Sequence, residues 1–184
     1  MLLKVLPILL SAGSLAVAIT ALVLTYRRSG QALEHSRKAA ASALWSGVQT
    51  AVQRFIGFDP SVEPLGDRLA NFRIATIALV DELDGWKGLD TWLDAERNLG
   101  ALLGRQVMEA AQDGDSVDQR LANLDPYQQW AQALGSNLRR FRAVGFDADA
   151  AAKLQAAAER NIENLYAKHG WEKPQVVQRI RPLA

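Results

Sequence analysis

Cysteine is absent from this chain of 184 residues, and histidine occurs only twice. Without a thiol there is no disulfide, no thiolate zinc site, no cysteine nucleophile and no lipid-bearing cysteine. The histidines, His35 and His169, lie far apart in sequence. The paired Glu-x-x-His motifs of a di-metal bundle are therefore missing. No stretch alternates with period two for long, which leaves no strand signal. There is no GxSxG, no glycine-rich phosphate loop, no HExxH and no Asn-x-Ser/Thr sequon. An excess of one charge is lacking too: 21 basic residues stand against 20 acidic ones, a net of +1. That balance argues against a protein built to coat nucleic acid. The chain is expected to be no enzyme and to need no cofactor or metal.

What is present begins with an apolar run. Val5 to Tyr26 contains no charged residue, with Lys4 on one side and Arg27-Arg28 on the other. As a helix it would reach ~33 Å, enough to cross the ~30 Å hydrocarbon core of a bilayer. A cleaved signal peptide is the competing reading, since Ala16-Val17-Ala18 is a small-x-small site. Its apolar region would be shorter, ~7–15 residues, whereas this run continues to Tyr26. A buried helix of a soluble domain would normally show a polar face, which this run lacks. Residues 1–28 are thus expected to form one N-terminal transmembrane helix.

Ser11, Ser14, Ala18, Ala21 and Thr25 step by three and four, so they share one stripe. Small residues let helices approach closely in lipid, and hydroxyls bond across them. The stripe is a candidate interaction face for a protein partner or a second copy of this chain. The alternative is an alanine-rich span that produces such a stripe by chance. Beyond the run, Arg27, Arg28, Arg37, Lys38 and Arg54 form a basic stretch with Trp45 beside that stretch; Arg27, Arg28, Arg37 and Lys38 are candidate lipid-headgroup contacts, the alternative being a bundle helix whose polar face is basic. Basic residues tend to remain cytoplasmic. The expected topology is single-pass, with the C-terminal domain in the cytoplasm.

Residues 29–170 read as an up-and-down bundle of four or five helices. After a possible hinge at Ser29-Gly30, Leu33, Ala40, Leu44, Val48 and Phe55 recur at helical spacing. Asp59-Pro60 and Glu63-Pro64 break that helix. Asp67 is expected to cap a second helix reaching about Trp86, and Asp90 a third containing Trp92, Leu99, Leu103 and Val107. A short helix over Val117–Leu124 follows. Asp125-Pro126 then signals a restart, as an N-cap followed by proline. The stripe Tyr127, Trp130, Leu134, Leu138 and Phe141 continues from it. Asp147 opens the last long helix, which ends at Gly170. Residues 171–184 form a basic tail.

Three motifs resemble sites and have plainer explanations. Asp113-Gly114-Asp115 starts like a calcium loop, but Val117, Asp118 and Leu124 occupy positions that need a ligand, glycine and glutamate. Asp81, Glu82, Asp84, Asp90, Asp94 and Glu96 form an acidic stretch, expected to be a solvated face with helix starts. Trp130 to Gly135, with Arg139, Arg140 and Arg142 downstream, resembles part of a helix-turn-helix. Leu134, Leu138 and Phe141, however, keep one helical period straight through Gly135. No nucleic-acid partner is expected. The five tryptophans, Trp45, Trp86, Trp92, Trp130 and Trp171, are expected in core or interface packing. The function that fits is a membrane-anchored scaffold or accessory subunit acting through protein–protein contacts. The alternative is a membrane-anchored sensor whose bundle binds a small ligand.

Overall fold

Apolar residues at three- and four-residue spacing fold this chain into helices, and among the described residues only helices occur. The computed structural model describes the backbone of residues 2–83 and 85–174, and the side chains of residues 22, 25–83 and 85–174. The five helices are α1 (Leu2–Gln53), α2 (Gly66–Glu82), α3 (Leu89–Ala110), α4 (Val117–Val144) and α5 (Ala148–His169). The chain divides into two units, Met1–Ala43 and Leu44–Ala184.

In the first unit, every described side chain from Thr25 to Ala40 is exposed. Among the described residues, no helix is long and apolar enough to cross a membrane. Most of Val5–Tyr26 lies outside the described side chains; Leu22, Thr25 and Tyr26 are the exceptions, and all three are exposed. At Ser29-Gly30, where the sequence allows either a hinge or a continuous helix, α1 runs through both residues. One glycine inside a helix costs only about 1 kcal/mol, which its flanking turns absorb.

The second unit is a helical bundle. Cross-helix contacts give the helix directions. Arg142 of α4 donates to Gln49 of α1, and a Cβ at Gly135 would lie 3.5 Å from Val52, so these two helices are antiparallel. Trp130 of α4 reaches Glu96 of α3, while Asn123 reaches the Ala110 carbonyl, again antiparallel. Thr91 meets Gln155 at one end of α3 and Glu109 meets Trp171 just beyond α5, so α5 runs parallel to α3. Helices α1, α3 and α5 thus run one way and α4 the other, and α3 lies against α2, α4 and α5.

The core is aromatic at one end. Phe55 sits 5.9 Å from Phe72, 5.3 Å from Trp130 and 6.5 Å from Tyr127, ring centre to ring centre. Fully burying one such side chain stabilises by roughly 1.5–3 kcal/mol. Two glycines of α3 set how near the neighbours come. A Cβ on Gly100 would fall 2.2 Å from the Trp130 ring, and one on Gly104 would fall 2.2 Å from Leu65.

Several helix starts differ from expectation. The N-cap of α2 is Leu65 with no side-chain bond, and Asp67 lies inside the first turn. The N-cap of α3 is Gly88 at φ 89°, with Asp90 likewise in the first turn. Both acids still face the positive end of a helix dipole. The second helix ends at Glu82, short of Trp86. The expected restart at Asp125-Pro126 is absent, and α4 carries Pro126 in its interior. An interior proline costs ~3 kcal/mol. Burying Tyr127, Trp130, Leu134 and Leu138 on one face of the same helix offsets it. Ser116 caps that helix by accepting from the Gln119 N–H, and Asp147 caps α5 through the Asp149 and Ala150 N–H groups. Gly170 closes α5 at φ 65°. Of the expected tail, residues beyond Pro174 lie outside the described ones; Trp171 stacks on His169, and Lys173 pairs with Glu163.

Gly100→Ala tests the close approach of α4 to α3. In an open helix this change gains about 1 kcal/mol. Here urea unfolding is expected to show a net loss of about 1–3 kcal/mol, because the rigid indole has nowhere to go. Gly104→Ala, which meets the end of a leucine side chain, should lose less.

Candidate functional site

Helical spacing places Trp92 and Glu96 one turn apart on the inner face of α3. The antiparallel approach of α4 brings Trp130 to the same point. The Trp92 indole donates to Glu96 Oε1 at 2.9 Å, and the Trp130 indole donates to Oε2 at 2.9 Å. Glu96 is 7% exposed, Trp92 0% and Trp130 7%. No described cation forms an ion pair with Glu96. Burial pushes its carboxyl above the usual carboxylate range, and the two indole bonds pull against that shift. Among the described residues, the carboxyl is met by two N–H dipoles and by no ion-pair partner.

Glu96 also lines a cleft of about 570 Å3 between α3, α4 and α5. Leu99, Leu103, Leu134 and Leu154 supply apolar wall. Gln106, Gln129, Asn137, Asn161 and Asn164 contribute amides from all three helices, and Lys168 adds a cation. The volume and the mixture of apolar wall with a few polar groups are those of a small-molecule site.

The acidic stretch separates in space. On the other flank of α5, Asp81, Asp90 and Asp94 line a second cleft of about 570 Å3, with Arg73 and Arg97. Arg97 pairs with Asp94 at 2.7 Å. Glu82 is exposed, and Asp84 lies outside the described residues. Glu96 breaks the expectation of a solvated face, because it points into the core side of α3. Among the described residues, no group of three or more potential ligands is placed to hold a metal ion.

The remaining sequence candidates fall as follows. Ser11, Ser14, Ala18 and Ala21 of the small-residue face lie outside the described side chains, and Thr25 is exposed. Arg27, Arg28, Arg37 and Lys38 are all exposed, and Lys38 pairs with Glu34 at 2.6 Å. The calcium-like stretch is a turn: Gly114 has φ 94°, and Asp115 accepts from the Gln112 N–H. Helix α4 passes unbroken through Gly135, so no recognition-helix turn exists there. Arg139 donates to Ser136 on its own helix.

Among the described residues, the side-chain atoms Tyr127 Oη and His169 Nε2 are buried without a hydrogen-bond partner. Desolvation pushes the Tyr127 phenol far above its ordinary value, with nearby Arg68 pulling weakly the other way. At the end of α5, Trp171 stacks on His169, donates to Glu109, and lies 4.3 Å beneath the Arg105 guanidinium.

Comparison with protein-family models, with curated proteins and with solved structures finds no match for this chain. The functional reading therefore rests on its own residues.

The raised Glu96 carboxyl predicts a pH dependence of stability. Between the ordinary carboxylate value and the raised one, the folded state holds a proton that the unfolded state has lost. Stability from this group therefore falls as pH rises through that window, by at most ~1.4 kcal/mol per pH unit. Glu34 and Glu109 shift the opposite way, chiefly through bonds from Lys38 and Arg105. Comparison with Glu96→Gln isolates the one group. Urea unfolding from about pH 4 to 7 should show the difference moving in the variant's favour as pH rises; a flat difference contradicts the shift.

Proposed function

We propose that this chain is a single-pass membrane-anchored protein whose helical body acts as a scaffold or accessory subunit through protein–protein contacts. The observation that carries the reading lies on α2. Ile74 and Ile77, spaced by three residues on one helix face, are 68% and 49% exposed. Ile77 also enters the cleft rimmed by Asp81, Asp90 and Asp94. Apolar groups beside a ring of charges are what a partner's side chains would cover. The membrane part of the reading rests on the uncharged run Val5–Tyr26 between Lys4 and Arg27-Arg28. Lipid headgroups would meet Arg27, Arg28, Arg37 and Lys38, and the face Ser11, Ser14, Ala18, Ala21, Thr25 would take a second helix, from a partner or another copy. The body is assigned to the cytoplasm.

A second reading is favoured by a specific observation, the cleft holding Glu96. It makes the body a binding module for a small ligand, and the protein a membrane-anchored sensor.

Alkaline carbonate extraction tests the anchor. The full chain should stay with the membrane pellet, while a chain beginning at residue 29 should be released. Recovery of the full chain in the supernatant removes the transmembrane assignment. For the scaffold role, a photo-crosslinking residue at position 74 should form a defined adduct in membranes. Ile77→Asp should abolish that adduct while leaving stability within about 0.5 kcal/mol, as expected of a surface site.

A further inference from the structure

We infer that the cleft between α3, α4 and α5 binds a small organic cation, a primary amine on an apolar body, with Glu96 as its counter-ion. This inference rests on the ligand-binding reading of the cleft and names the chemistry of the ligand. A carboxylate has room for about four hydrogen bonds, and each Glu96 oxygen accepts one indole N–H. Lone pairs remain on both oxygens. The group is buried beside two indoles with no ion-pair partner among the described residues. A buried charge without a countercharge is costly, and an arriving ammonium removes that cost while gaining charge-assisted hydrogen bonds.

The rest of the wall fits the rest of such a molecule. Leu99, Leu103 and Leu134 accept an apolar body, and Trp130 adds an aromatic surface of the kind that favours ammonium groups. The amides of Gln129, Asn137 and Asn161 both donate and accept, so they serve a neutral polar substituent and offer no competing charge. Lys168 also lines the cleft, so the ammonium is placed at Glu96, where a free carboxylate or phosphate would be repelled, and away from Lys168. The volume of about 570 Å3 suits a drug-sized molecule and excludes a folded partner.

The test uses the full-length chain in detergent micelles, labelled with nitrogen-15 at tryptophan. Phenethylamine is the probe, with 2-phenylethanol as its neutral analogue and 3-phenylpropionate as the anionic one. Phenethylamine should move the Trp92 and Trp130 indole N–H signals saturably and bind at least about tenfold more tightly than the alcohol. The propionate should not bind. Glu96→Gln should reduce amine binding to the level of the alcohol. Ala157→Trp, which fills the cleft from α5 and leaves Glu96 in place, should abolish binding of both. Equal affinity for amine and alcohol overturns the amine assignment and leaves the cleft as a ligand site. Absence of any saturable shift overturns the amine assignment and the ligand-binding reading together. Amine binding that survives Ala157→Trp unchanged places the ligand elsewhere and overturns the site.

Discussion

The body is organised around one steric fit, the Trp130 ring against the bare backbone of Gly100. Any side chain at Gly100 would force this contact to shift, since a Cβ there would fall 2.2 Å from the indole. The absence of that Cβ lets α4 approach α3 closely enough for the Trp130 N–H to reach Glu96. The same ring also meets Phe55 and Tyr127, which joins the end of α1 to the centre of the bundle. Packing and polar satisfaction thus depend on a single residue's lack of bulk.

Glu96 shows what such a fit can hold. Burial works against its charge, and two indole dipoles work for it. Burial is the larger influence, so the carboxyl is left harder to ionise than an ordinary glutamate. A group in that state is stabilised by whatever brings positive charge to it, whether a proton or an ammonium. Leucines and amides surround it on the cleft wall. The exposed pairs, such as Arg105 with Glu109, remain in water and contribute little.

Much of the helical layout was legible in the sequence, because apolar spacing is written along every helix. The buried faces of α3 and α4 contain the residues that the spacing marks: Trp92, Leu99 and Leu103, then Trp130 and Leu134. Ends and breaks were less legible. Asp67 and Asp90 are good caps by composition, yet the caps fall two residues earlier, at Leu65 and Gly88, beside the buried Leu65 and Leu89. Pro126 signals a break that the buried face of α4 overrides. Glu96 was obscured by its neighbours, since six acids in a short stretch read as a wetted surface. The signal was nonetheless present. Residues 92, 96, 99 and 103 step by four, three and four, which places the glutamate on the same stripe as the tryptophan and the leucines.

Helix α5 is fastened to α3 near both ends, through Gln155 to Thr91 and through Trp171 to Glu109. Between these fastenings it forms the shared wall of two clefts, one with α2 and one with α4. The two clefts share this wall but no lining residue, so a substitution confined to one lining leaves the other lining intact.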